Sequence, residues 1–436
     1  MEKNNRRLKL FGGKWGVAAV LLLRIIVGGI FVFSGFVKAI DPWGSVYKFG
    51  EYLTLFGLTE LKSLLLFMAV AVAAVEFLLG VFVILGIYRR FAPCAMALMM
   101  AVLLPLTFNL AVTDGISDCG CFGDVLVISN WGTFWKNVVL TLCICYLVKY
   151  NKRVKNLYGF AVQWIVAFLS ATYILMIAFA GYYIQPLIDF RPYPVGSELV
   201  QIVADADSED EGEDFVFVYE KDGVSKDFEI DSLPDESWTF VDRHLKPGKK
   251  HEDNEKVEKE YISLLDKNFQ PADSVIIKDG EQLLFLFPDL ADVGVSYTYL
   301  INEIYDYAQS HGISVIGITS SGEKDVEEWN DMSMASYELY YGDDSQLKML
   351  ARGNPSVVYL KNGKIEWKRT LQSMSMELVS SSNEMETLAS DFNAKKWLVM
   401  LAGCYMMSMM LLLIINRTHL LWKIRRKRRA KKENKA

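Results

Sequence analysis

Cys119 and Cys121 stand one residue apart in the polar stretch TDGISDCGCFGDVLVISNWGT, residues 113–133, which lies between two long apolar runs. Two thiols this close can make and break a disulfide, staple a loop, or bind a soft metal. Gly120 between them relaxes the backbone, and a bond closing so short a loop is strained and therefore easily reduced. A metal is not expected, because structural zinc draws on two ligand pairs at wider spacing, and His244, His251, His311 and His419 are all remote in sequence. Asp118 and Asp124 fence the pair, and their charge opposes thiolate formation and slows attack. The residues alone leave three readings open: redox exchange, a static loop staple, and unpaired packing thiols.

Charged side chains inside apolar runs are the second set of candidates, since an ionised group in hydrocarbon must be paired or face a polar cavity. Glu76 lies near the middle of LLLFMAVAVAAVEFLLGVFVILGIY, residues 64–88, and needs a partner or a proton. Arg24, inside GVAAVLLLRIIVGGIFVFSGFV at 16–37, is the expected partner on charge grounds, and Lys38 is expected to extend its stem toward the interface. A Glu76–Arg24 pair would fix helix packing or take part in proton chemistry.

These residues depend on elements that can cross a bilayer. Of the 436 residues, 52% are hydrophobic, and they are gathered into runs, which sets the chain apart from an ordinary soluble globule. Beyond the two runs above, others occupy 91–112, 137–148 (extensible to Thr133), 158–184 and 397–416. About 20 helical residues span a bilayer core, so six transmembrane helices are expected. The first run is too long for a signal-peptide core and lacks a small-x-small cleavage site, so it is read as retained. Gly28, Gly29, Ser34, Gly35 and Gly80 allow close helix approach, Pro93 suits a first helical turn, and Pro105 should kink its span.

Short basic segments precede the first span, separate spans two and three (Arg89, Arg90), separate four and five (149–155) and close the chain. With six spans they share one side, which the positive-inside bias makes cytoplasmic. The expectation is a multi-pass cytoplasmic (inner) membrane protein with both termini cytoplasmic and 185–395 extracytoplasmic, hence periplasmic in a two-membrane cell. The lipid bilayer is its first partner, and the basic tail suits anionic lipid. Residues 184–395 carry 43 acidic and 19 basic side chains, a formal −24, which argues against nucleic acid. Cys94, Cys143 and Cys145 fall inside spans as packing thiols and Cys404 lies within the sixth span, about seven residues from its outer end, leaving Cys119 and Cys121 as the outer pair.

The motifs RIIVGGIFVFSGFVKAIDP (24–42), AAVEFLLGVFVILGIYRR (73–90), LPLTFNL (104–110) and DCGCFGD (118–124) resemble the DoxX-like superfamily and, within it, the methylamine utilisation protein MauE group. The resemblance covers 16–150. It implies an all-α transmembrane helical bundle of four helices there, associated with sulfur or quinone redox chemistry or with maturation of a disulfide-rich enzyme outside the cytoplasm. Carried onto this chain, it implies roles for Cys119, Cys121, Glu76 and Arg24 in the chemistry and for Lys38 in binding a quinone cofactor. A fifth span within 151–184, a large outer domain and a sixth span at 396–416 depart from that pattern, so methylamine oxidation itself does not follow.

After the basic N-terminus (1–15), the bundle and the fifth span, residues 185–260 read as an acidic segment with a β-hairpin turned by Lys221-Asp222-Gly223, followed by a polar linker at 244–260. From 261 to 392 strands alternate with helices: QLLFLF, a helix over 297–311, ISVIGITSS, a helix in EKDVEEWNDM, YELYYGD, a helix in SQLKMLARG, and the hairpin PSVVYLKNGKIEWKR. This order resembles an α/β thioredoxin-like domain, with Pro355 at the family's proline beside the active site. Where redox members carry Cys-x-x-Cys, this chain has DLADVGVS at 289–296, and no cysteine occurs in 184–395. Thiol exchange inside the domain is thereby excluded, and Ser296 and Thr298 lack an identifiable base for hydrolase chemistry. A basic tail at 417–436 ends the chain. Two functions fit: a redox-linked membrane protein, or a noncatalytic scaffold or maturation factor binding an extracytoplasmic protein through the cysteine-free domain.

Overall fold

The computed structural model describes residues 14–55, 57, 64–113, 120–199, 215–221, 224–229, 239–245, 262–375, 385 and 392–433. They form two compact units: Met1–Arg191 with Ala351–Ser356 and Arg369–Ala436, and Pro192–Leu350 with Val357–Lys368.

In the first unit the apolar runs become α1 (Lys14–Ile40), α3 (Leu65–Leu85), α4 (Phe91–Thr113), α5 (Asn130–Tyr150), α6 (Gln163–Tyr183) and a C-terminal helix, Ala394–Glu433, with α2 (Pro42–Leu55) inserted after α1. Six of the seven are long and apolar enough to cross a membrane; α2 is not among them. Nor is helix α2 among the elements expected from the sequence. Its start has a local cause: Pro42 occupies the first helical position, and the Asp41 carboxylate accepts the Gly44 N–H at 2.9 Å as an N-cap.

Helices α1 and α3 run so close that backbones touch. A β-carbon on Gly35 would lie 2.5 Å from the Ala73 carbonyl oxygen and the Phe77 nitrogen, and one on Gly80 would lie 2.6 Å from the Gly28 oxygen. Lipid supplies no hydrophobic drive between helices, so such dispersion contacts between small residues hold them together. Around this seam Val27, Phe31, Leu79, Val83, Met96, Met100, Leu140 and Ile144 form one buried cluster. Helix α4 continues through Pro105. The C-terminal helix docks on α6 by the stacked rings of Tyr405 and Tyr173, 4.5 Å apart, and by the Ser170–Tyr405 hydroxyl contact at 2.8 Å.

The second unit carries two sheets. Strands β1 (Phe215–Lys221) and β2 (Val224–Glu229) form the expected antiparallel hairpin, and β3 (Thr239–Leu245) adds to the other edge of β1. The hairpin's turn at 222–223, most of the acidic segment and most of the linker lie outside the described residues.

The larger sheet is built from β4 (Leu264–Leu265), β5 (Glu281–Phe287), β6 (Ser314–Thr319), β7 (Glu338–Gly342), β8 (Ser356–Lys361) and β9 (Lys364–Thr370) in the order β4-β7-β6-β5-β8-β9. Strands β5, β6 and β7 are parallel neighbours, and β4 runs antiparallel to β7. Crossover helices α7 (Tyr297–Ser310), α8 (Glu323–Ser333) and α9 (Asp344–Leu350) connect them. Residues 283–287 and 357–360 are buried throughout, as continuous apolar strands covered on both faces must be. The fold is thioredoxin-like, as expected, and the Asn354–Pro355 peptide is cis.

The α1–α3 seam gives a paired test. Gly35→Ala should destabilise the bundle by about 1 to 3 kcal/mol, since neither backbone partner can yield cheaply. Gly29→Ala, which meets nothing within 4 Å, should leave melting in detergent unchanged or raise it slightly.

Candidate functional site

The antiparallel register of α1 and α3 decides which charges meet. Gly86 faces Arg24, Gly80 faces Gly28, and Glu76 faces Ser34. Glu76 pairs with Lys38, not with the expected Arg24: Lys38 Nζ lies 2.8 Å from Glu76 Oε2, and both side chains are buried. Arg24 stands ten residues from Ser34 along α1, about 15 Å by helical rise, which is too far to reach. Its guanidinium instead donates to the Asn151 side-chain oxygen at 2.5 Å and the Asn151 carbonyl at 2.6 Å. It therefore closes the C-terminal end of α5, where free carbonyls carry partial negative charge. Lys38, expected to extend to the interface, turns inward.

Lys38 has three protons and three acceptors: Ser34 Oγ at 2.7 Å, Glu76 Oε2 at 2.8 Å and the Cys121 carbonyl oxygen at 2.8 Å. Ser34 Oγ is also 2.7 Å from both Glu76 Oε2 and the Cys121 carbonyl, and its single proton serves one of them at a time. The ion pair in the bundle thus grips the backbone of the cysteine loop.

That loop is shaped by its glycines and one aromatic. Gly120 (φ 64°) and Gly123 (φ 54°) adopt left-handed conformations that side chains disfavour, and Gly123 N–H closes a turn onto the Gly120 carbonyl at 3.2 Å. A β-carbon on Gly120 would press the Lys48 stem at 3.1 Å. Phe122 is buried against Phe33, and the Lys136 ammonium lies 4.4 Å from its ring centroid. Cys121 is half-buried. Cys119 lies outside the described residues.

Cys121 helps line a cavity of about 300 Å³ in the bundle. Its walls are mostly apolar, with Phe31, Met68, Val72, Met100 and Leu140 among them, and one end gathers Ser34, Lys38, Glu76, Lys48 and Lys136. Arg24 is not on its wall. The cavity can receive an apolar ring system whose polar atoms meet donors at the cysteine end.

Sequence reasoning missed one functional-looking group. Arg352, in the 351–356 segment of the first unit, is buried and holds two carboxylates: its Nη2 lies 2.8 Å from Asp41 Oδ2 and 2.5 Å from Asp124 Oδ2. The Tyr47 ring is 5.4 Å from its guanidinium carbon, Gly353 N–H donates to the Tyr47 hydroxyl at 3.3 Å, and Gln185 brackets the Arg352 backbone with bonds of 2.6 and 3.0 Å. Burial opposes the guanidinium charge, but Asp41 and Asp124 outweigh it and hold the group above its ordinary value. Burial likewise pushes the Tyr47 phenol up to about 12. Asp124, one of the charges expected to slow the thiols, is thus countered. Arg352 lies 228 residues from Asp124, so no local sequence pattern marks the contact.

Among the other cysteines, Cys143 packs in the bundle core, Cys94 and Cys145 are exposed on helix surfaces and do not pack as expected, and Cys404 is exposed on the C-terminal helix. Among the described residues no group of three His, Cys, Asp or Glu side chains could hold a metal ion. At 289–296 in the second unit, Asp289 caps a short 3-10 turn by accepting the Ala291 N–H at 3.1 Å.

Residues 16–150, about a third of the chain, match the family model described as methylamine utilisation protein MauE, so the N-terminal membrane region is MauE-like. Residues 213–250, which include the three-stranded sheet, match a domain of unknown function, DUF8463. No curated protein and no solved structure matches the chain.

Breaking the buried pair from one side should cost more than removing it whole. Lys38→Met or Glu76→Gln alone should lower stability by about 3 to 5 kcal/mol, and the double substitution by less than the sum, read from melting in detergent.

Proposed function

We propose that the membrane bundle couples a dithiol at Cys119 and Cys121 to a lipid-soluble quinone-class acceptor, on the extracytoplasmic side. The observation that carries the reading is the grip of Lys38 and Ser34, both held by Glu76, on the Cys121 carbonyl at the polar end of an apolar cavity. In the forward direction the two S–H bonds break and one S–S bond forms, releasing two electrons and two protons, and the acceptor takes up both to become a quinol. Apolar walls admit the ring, Lys38 meets its oxygen, and Ser34 with Glu76 supplies a local path for protons. Arg24 serves bundle packing at the other end of α1. The cysteine-free thioredoxin-like domain then binds, and does not oxidise, an extracytoplasmic protein whose thiols are the ultimate electron source.

The purified protein is reduced, freed of reductant and mixed with a short-chain quinone, and quinone absorbance is followed. The wild type should reduce about one quinone per dithiol, as two-electron stoichiometry requires, and Cys119→Ser and Cys121→Ser should reduce none. Equal reduction by both variants, or none by the wild type, would reject the proposal. The scaffold alternative instead expects a saturable partner captured by crosslinks in 261–392 even after both cysteines are replaced.

A further inference from the structure

We propose that Arg352 is a positioning residue for Cys121, acting through Asp124. The loop carrying Cys121 is fixed at two points. On one side its carbonyl takes hydrogen bonds from Lys38 and Ser34; on the other, Asp124 is clasped by the buried guanidinium that also holds Asp41. Asp124 stands three residues from Cys121, close enough for an uncompensated carboxylate to oppose the thiolate. Arg352, shared with Asp41, offsets that charge in part and ties the 123–125 turn to the N-terminus of α2 through the Asp41 cap.

Among the described residues, the other ionisable groups facing the loop are Lys38 from α1, Lys48 and Tyr52 from α2, Glu76 from α3 and Lys136 from α5. Lys38 and Glu76 offset one another and Lys48 pairs with Glu51, so the remaining charge around the thiol comes from Lys136 and the Asp124–Arg352 contact, and losing Arg352 makes it more negative. Arg352 touches no reacting atom. Its role is to keep Cys121 acidic enough to react and to hold it at the cavity mouth, a consequence that matters for turnover only if the dithiol reading is right.

The charge effect itself is measurable without any acceptor. In full-length protein whose only cysteine is Cys121, alkylation by iodoacetamide is followed against pH in detergent. Arg352→Gln should raise the pH of half-maximal reaction by about half a unit or more, slowing reaction at neutral pH about threefold. Arg352→Lys should recover much of the rate, and Arg352→Gln with Asp124→Asn should restore the profile, which a purely structural loss would not allow. Asp124→Asn alone, with Arg352 intact, should move the profile below wild type; this variant decides the matter if Arg352→Gln does not fold. An unshifted profile in Arg352→Gln, no restoration in the double variant, or no downward shift in Asp124→Asn would each overturn the inference. Because the assay contains no quinone, these results stand or fall separately from quinone reduction.

Discussion

A buried ion pair in the α1–α3 seam organises the first unit. Lys38 and Glu76 sit where the helices are closest, and neither charge is tolerable in that setting without the other. The glycines that let the backbones meet also bring Ser34 opposite Glu76. Once Glu76 and Ser34 have each taken a proton, Lys38 has one left for the Cys121 carbonyl, so the requirement to satisfy a buried ammonium becomes the anchor of an otherwise polar loop.

The loop uses this anchor in a particular way. Its glycines turn the chain, Phe122 plugs it into the bundle, and Asp124 reaches Arg352, so that Cys121 is held by its backbone while its side chain remains on the cavity wall. Holding the loop through a backbone carbonyl keeps the Cys121 thiol out of that anchor, and Cys121 is half-buried on the wall of a mostly apolar cavity. The proposed redox role rests on this combination.

How much of this could be read from the sequence depended on whether the signal was local. Spans are written in composition, and all six runs became long apolar helices. The thioredoxin-like elements were equally legible, because QLLFLF and VVYL are apolar strands buried on both faces while 297–310 carries a helical stripe. Helix α2 had a readable start in Asp41-Pro42, but at 14 residues with Lys48 and Glu51 inside it, it is too short and too charged to stand out as a bilayer-crossing run. The Glu76 partner was misread because charge alone cannot choose between Arg24 and Lys38. Only the register set by Gly28, Gly35 and Gly80 does, and it places Arg24 beside Gly86. Arg352 was illegible for the opposite reason, since its contacts span hundreds of residues and its neighbours Gly353 and Pro355 draw attention to backbone geometry instead.

The central claim is that the outer dithiol changes state with the lipid-soluble acceptor pool. Differential thiol labelling of Cys119 and Cys121 in native membranes, quenched by acid after adding either quinone or quinol, tests it most directly. The account predicts that the two residues are joined after quinone and both labelled as free thiols after quinol. The same labelling pattern under both conditions would contradict it.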